Sequence, residues 1–282
     1  MTTPDLRPGR SHRPYRDLHI YYLNGRLTGG HRDLGPGFIG NWEEQDTSFL
    51  FFSRPSDDTV QRLVAETGPL TLIDTFHLRY DEWQGGQMPA ISVGRYRIMA
   101  PWTPPDQVEP ETDAIWLDPG VVFGAGTHAT TSDCLAALDR LLKNRRVDTV
   151  LDLGTGSGVL AVFAAMAGCR RILAVDLNFL AVQTTARNVA LNGLQPHVLA
   201  LQGKAEDFID VPADLVVANI HHAVMAPLID SQGFAQKKWF LLSGLMRREA
   251  KRIERRLRQK GADILQTWSA DGIWFTFIGK NR

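Results

Sequence analysis

Two cysteines in 282 residues are too few for a disulfide framework, and Cys134 and Cys169, 35 positions apart, match no metal-binding spacing. Both fall in apolar helical patterns and read as ordinary buried thiols. Net charge is missing as well. Thirty-one Lys plus Arg offset 31 Asp plus Glu, so no global field favours nucleic acid or a membrane surface. The longest apolar run, VLAVFAAMAG, has ten residues and is too short to span a bilayer. The opening MTTPDLRPGR carries no apolar segment of secretory type. These absences point to a soluble protein of the reducing cytoplasm. What is present is a hydrophobic fraction of 44%, enough for a sizeable core. The length suits a main domain with a smaller companion.

Residues 1–16 scatter Arg7, Arg10, Arg13 and Arg16 among prolines and read as a loose basic tail. From 17 to 100 the runs LHIYYL, FLFFS, TLIDTFHLRY and ISVGRYRIM are strand-like and separated by Gly, Pro and Asp. One helix, Asp57 to Thr67, fits between them with Val60, Leu63 and Val64 on one face. This is a small α+β domain, and the proline-rich acidic stretch 101–115 reads as its linker. From 116 to 282 the rhythm changes. A helix over Ala129–Lys143 has a stripe of Leu135, Leu138 and Leu142, with Thr130 and Asp133 spaced as a capping box. Strands DTVLDL, RRILAVDL, HVLALQ, ADLVVANI and WFLLS then alternate with helices, among them one capped by Asn178, one over Ala223–Ala235 and one over Leu245–Lys260. Continuous Val/Leu/Ile runs alternating with helices imply an α/β fold with a mostly parallel, Rossmann-like sheet. DILQTWSADGIWFTFIG closes the chain as an antiparallel hairpin turning at Asp271-Gly272.

The first strand of that alternation runs into Gly154-Thr155-Gly156-Ser157-Gly158, where an open α/β sheet binds its ligands. Asp152 precedes the glycines, and Asp176, with Leu177 after it, ends the next strand 24 positions later, a placement suited to ribose hydroxyls. A dinucleotide fingerprint needs glycine at position 159, which is Val159 here, so the pattern is D-x-G-x-G-x-G. That pattern with a downstream acid resembles the class I methyltransferases, which bind S-adenosylmethionine and end in the same antiparallel hairpin. A glycine turn of purely structural purpose is the competing reading. Ala205 and Glu206 follow the third strand, where the resemblance implies adenine contacts; plain solvent exposure of Glu206 competes. Asn219, followed by Ile220, His221 and His222, ends the fourth strand, where such enzymes keep a polar residue beside methyl transfer.

Ahead of this core stands LDPGVVFGAGTHATT. With DLGTGSGVLA, AVDLN and VVANI it resembles the ribosomal protein L-eleven methyltransferase family, also called PrmA, over 116–282. The resemblance implies a loop lying against S-adenosylmethionine through Phe123, Gly126, Thr127 and His128, with Asp152, Gly154, Thr155, Gly156, Gly158, Asp176, Leu177, Ala205, Glu206 and Asn219 completing the cofactor set. It further implies transfer to lysine or N-terminal amines of a protein, with a large-subunit ribosomal protein as the acceptor to expect. No metal cluster is evident. Asn219 would accept a hydrogen bond from the incoming amine, and His221 or His222 could take a proton, although these histidines equally suit the start of a helix. His221-His222 departs from the family's Leu-Ala. The glycine-rich YYLNGRLTGGHRDLGPGFIG also departs, because it cannot support the first helix of the family's β-α-β-β-α-β recognition domain. Rival readings are an RNA or small-molecule methyltransferase on the same core and a non-catalytic S-adenosylmethionine-binding protein. The basic helix RREAKRIERRLRQK has an apolar stripe of Met246, Ala250, Ile253 and Leu257, which makes its arginines a wetted face and nucleic-acid contact unlikely.

Overall fold

The computed structural model describes residues 13–27, 34–86, 88–109 and 113–282. Arg7 and Arg10 of the expected tail, part of the glycine-rich stretch and residues 110–112 of the expected linker lie outside them. The first unit is an antiparallel sheet in the order β2-β3-β1-β4, built from β1 (Asp17–Asn24), β2 (Phe38–Glu44), β3 (Thr47–Phe52) and β4 (Thr71–Arg79), with α1 (Asp57–Glu66) between β3 and β4. Strand alternation divides its side chains. Tyr21, Leu23, Leu50 and Phe52 meet Val60 and Leu63 of α1, while Leu18, Ile20 and Phe51 point to the other face. No helix lies between β1 and β2 among the described residues. β2 is not evident in the sequence, because Gly40-Asn41 interrupts its alternation. Gly40 has a packing reason: a methyl group there would come 2.5 Å from Leu180.

After α2 (Tyr80–Trp83), a second sheet forms from β5 (Ile91–Val93), β6 (Tyr96–Met99) and β7 (Asp113–Trp116), with β7 parallel to β6. The stretch read as a linker therefore carries a strand. Val93, Tyr96, Ile98 and Ile115 bury into the same core as the large domain's helices. Proline richness misled the sequence reading, because only Pro104 and Pro105 start a 3-10 turn before the chain extends again.

The large domain runs α3 (Ala129–Asn144), β8 (Thr149–Leu153), α4 (Val159–Met166), β9 (Arg171–Asp176), α5 (Phe179–Leu191), β10 (Val198–Gln202) and α6 (Ala205–Phe208). It continues with β11 (Leu215–Asn219), α7 (His222–Asp230), α8 (Gln232–Ala235), β12 (Trp239–Met246), α9 (Arg247–Gln259), β13 (Asp263–Ala270) and β14 (Trp274–Lys280). Its seven strands lie in the order β10-β9-β8-β11-β12-β14-β13. β8 to β12 are parallel, and β14 pairs antiparallel with β12 and β13. Alternate strand residues bury on both faces. Val150, Ile172, Val217 and Leu241 pack with α3 and α4, and Leu151, Val175, Val216 and Phe240 pack with α7 and α9. Asp271 and Gly272, at φ 51° and 64°, make the tight turn of the final hairpin. No helix among the described residues is long and apolar enough to cross a membrane. Cys134 and Cys169 are free and buried.

Three helix boundaries differ from the sequence reading. The cap of α3 is His128, whose ring accepts from the Thr130 N–H, rather than a Thr130/Asp133 box. The single helix expected over Ala223–Ala235 is two, because the Ser231 hydroxyl accepts from Phe234 N–H and restarts the helix as α8. α9 begins at Arg247, so Met246 ends β12 half-exposed and is not part of the apolar stripe.

The two units share a core. Leu18, Ile20 and Phe51 from the first sheet pack on Val121, Val122 and on Leu180 and Ala181 of α5. Asn178 stands at the N-cap of α5, as expected, but its side chain makes no capping bond and accepts the backbone N–H of Glu43 at 3.0 Å. Tyr80 donates its hydroxyl to Asp118 at 2.5 Å, across the same seam.

Candidate active site

β8 delivers Asp152 to a fully buried position, and the chain then turns through three left-handed glycines, Gly154, Gly156 and Gly158, at φ 74°, 57° and 82°. Only glycine holds these angles without strain. Thr155 donates its hydroxyl to Asp152 at 2.7 Å. From the adjacent strand Asp176 accepts Gly156 N–H at 3.0 Å with one oxygen and Asn178 N–H at 2.9 Å with the other. Each oxygen keeps a lone pair for a further donor. β9 and β10 place Leu177 and the start of α6 on one rim, where Gln202 donates to Leu177 O at 3.0 Å, Ala205 is half-buried, and Leu177 and Glu206 are exposed.

The loop 117–128 lies directly on this turn. Phe123 O accepts Ser157 N–H at 2.9 Å, and Gly124 O accepts the Ser157 hydroxyl at 2.6 Å. Phe123 itself is half-exposed, and its ring meets His128 edge-on at 5.2 Å. Gly126 turns at φ 90° where a methyl group would strike Ile91 of β5. Phe123, Thr127 and His128 also line a cavity of about 650 Å³ against the first sheet, whose walls include Trp42, Phe49 and Trp83.

Asn219 closes the site at the tip of β11. It donates to the Thr130 hydroxyl at 3.3 Å, and that hydroxyl lies 2.8 Å from His128 Nδ1. His128 Nδ1 also accepts from Thr130 N–H, so its ring proton sits on Nε2. The amide oxygen of Asn219 is thereby the end of the group available to an incoming donor. His221 caps α7 by accepting Ala223 N–H at 3.3 Å, and His222 lies beside Glu249. The structure thus brings Phe123, Gly126, Asp152, Thr155 and the glycines together with Asp176, and joins Asn219 to His128 through Thr130.

Three contributors escaped the sequence reading. Thr130 is the hub just described. Thr131, beside it, holds a buried hydroxyl with no hydrogen-bond partner, an orphan that a ligand would satisfy. Asn188, fully buried on α5, accepts Asp118 N–H and donates to Asp118 O and Ser157 O, tying the loop to the glycine turn.

Burial drives the charge state of the acids. Desolvation pushes Asp152 up to about 7, against the opposing bond from Thr155, and desolvation also raises Asp176. An acid raised in the fold holds its proton more tightly there than in the unfolded chain. Its ionisation therefore erodes stability as pH climbs from about 4 to about 7 and stays fully unfavourable above. Asp152→Asn, which mimics the protonated acid, should melt several degrees above the parent at pH 8 and no higher at pH 4. Equal shifts at both pH values would contradict this assignment.

A Rossmann-like sheet ending in an antiparallel β14, with a glycine turn after the first strand and an acid after the second, defines the class I methyltransferase architecture. The family model described as "Ribosomal protein L11 methyltransferase (PrmA)" matches residues 80–282, and the chain belongs to that family. A ribosomal protein L11 methyltransferase of Bacillus pumilus is 35% identical over 200 residues, covering 70% of this chain and 63% of that protein. One of Anoxybacillus flavithermus is 34% identical over 202 residues, covering 71% and 64%. The chain thus spans less than two thirds of the length of these relatives. The crystal structure of a ribosomal protein L11 methylase from Lactobacillus delbrueckii subsp. bulgaricus superposes with a TM-score of 0.58 at 28% identity, over 68% of this chain and 99% of that one.

Proposed function

We propose that this chain transfers methyl groups from S-adenosylmethionine to amines of a protein, lysine or N-terminal, with ribosomal protein L11 as the first candidate acceptor and the cytoplasm as the place. The seating of the 117–128 loop on the glycine turn carries the reading, since it forms a roof with polar backbone beside a buried carboxylate. Asp176 and the backbone at Gly154–Gly158 would hold the nucleoside, Ala205 and Glu206 would flank its base, and Thr127 and the orphaned Thr131 hydroxyl would meet its amino-acid end. Bound there, S-adenosylmethionine supplies a methyl group on a positively charged sulfur.

The chain's own task is then to present a neutral amine in line. A free lysine has a pKa of about 10.4, and desolvation beside a positive charge lowers it. The cavity under Phe123 gives the acceptor an aromatic approach, and Asn219 Oδ1 orients the amine by accepting one of its N–H groups. His221, engaged in capping α7, serves the turn that holds Asn219 rather than the proton. Asn219→Ala is expected to lower kcat by about 100-fold while the protein stays folded. Full turnover in that variant removes the assigned role.

Tritium transfer from labelled S-adenosylmethionine to a large-subunit ribosomal protein fraction tests the whole reading. A single labelled protein band supports it; label in RNA or small molecules redirects it. The arginines of α9 form the wetted face of an amphipathic helix. Ala250, Ile253 and Leu257 are buried, Arg256 pairs with Asp230, and Arg258 pairs with Glu254. The family match begins at residue 80 and leaves the first sheet outside it.

A further inference from the structure

His221 and His222 stand immediately after the strand tip that presents Asn219, and Glu249 reaches them from α9. One ligand-capable atom from each of the three side chains lies within 4.8 Å of the others. The contact between His222 Nδ1 and Glu249 Oε1 is 2.6 Å, yet this buried nitrogen makes no hydrogen bond. Neither protonation state satisfies such a pair. With the proton on Nδ1, the N–H is not aimed at the carboxylate. Without it, two electron-rich atoms stand 2.6 Å apart with no hydrogen between them. A cation bound by both, off the line joining them and with their separation opened to about 3 Å, removes the conflict.

We propose that His221, His222 and Glu249 form a binding site for one divalent transition metal of the zinc class, pinning the start of α7 to the start of α9. The donor set selects the metal. Two imidazoles and one carboxylate suit zinc, cobalt or nickel, whereas calcium and magnesium prefer oxygen alone. The carboxylate is already oriented, because Glu249 Oε2 accepts the Met246 N–H at 2.8 Å and leaves Oε1 turned to the histidines. His221 would bind through Nε2. Its ring proton then moves to Nδ1 and ends the long 3.3 Å cap from Ala223, a small loss against a metal bond. Water would complete the coordination on the exposed side of His221.

The test needs no methyl-transfer assay, so its outcome is separate from that of the proposed activity. The full chain, stripped with chelator, is titrated with cobalt(II) followed by visible absorption, and with zinc(II) by calorimetry. One equivalent of tight binding is expected, with at least a tenfold loss of affinity in His222→Ala and in Glu249→Gln, the latter keeping the backbone cap. His77→Ala is the control, since His19 and His77 stack 4.5 Å apart beside Asp17 and offer the rival cluster. Absence of stoichiometric binding, unchanged affinity in both variants, or loss of the metal in His77→Ala instead each overturns the site.

Discussion

Gly156→Ala is expected to reduce S-adenosylmethionine affinity at least 100-fold and to lower the melting temperature by about 5–10 °C. The backbone there is left-handed at φ 57°, where any Cβ costs about 1–2 kcal/mol. Space is the larger obstacle. A methyl group would sit 2.5 Å from the carbonyl oxygen of Phe123, a backbone atom that cannot swing aside alone. The neighbouring bond from Ser157 N–H to the same oxygen would break, and the roof of the site would lift. Gly168→Ala supplies the comparison, because its φ is 104° but nothing lies within 4 Å of the added carbon. It should lose stability and keep full affinity. Calorimetric titration and melting of both variants decide the matter, and equal loss of affinity in the two would refute the role given to the roof.

Asn188→Ala should be the most destabilising single truncation in the loop's support, by about 3–9 kcal/mol and roughly 10 °C or more in Tm. The side chain is wholly buried and makes three bonds of 2.8–2.9 Å to backbone groups of Asp118 and Ser157. Its removal strands one N–H and two carbonyls away from water, each costing about 1–3 kcal/mol. One turn further on, at the C-cap of α5, Asn192 treats Trp116 in the same way, accepting its N–H at 2.9 Å and donating to its carbonyl at 2.7 Å. The two amides imitate a neighbouring strand for residues 116–118. Asn192→Ala should therefore destabilise too, but spare the glycine turn. A melting shift below 3 °C for Asn188→Ala would show that water replaces the lost bonds.

The legible part of this molecule was its backbone. Gly154, Gly156 and Gly158 were readable because a chain spends glycine only where geometry demands it, and Asp176 because a strand end leaves an acid facing the cleft. The hairpin at Asp271-Gly272 announced itself through a dipeptide that favours so tight a turn. Side-chain hubs left no such trace. Asn188 and Asn192 sit in an ordinary helical run, and their partners lie 70 and 76 positions earlier. Thr130 matched a local capping pattern, yet its hydroxyl serves Asn219, 89 positions away. The break at Ser231 was hidden because apolar spacing continues through it, and β7 because prolines suggested a tether.

Asn178 stands in two circuits at once. Its side chain accepts from Glu43 in the first sheet, and its backbone N–H feeds the carboxylate of Asp176. Tilting the first sheet must therefore tug on the acid assigned to the nucleoside. Linkage would make any such tug mutual: a ligand that grips the acid and a partner that shifts the sheet would favour or oppose each other by the same free energy, with Asn178 as one link beside the shared apolar core.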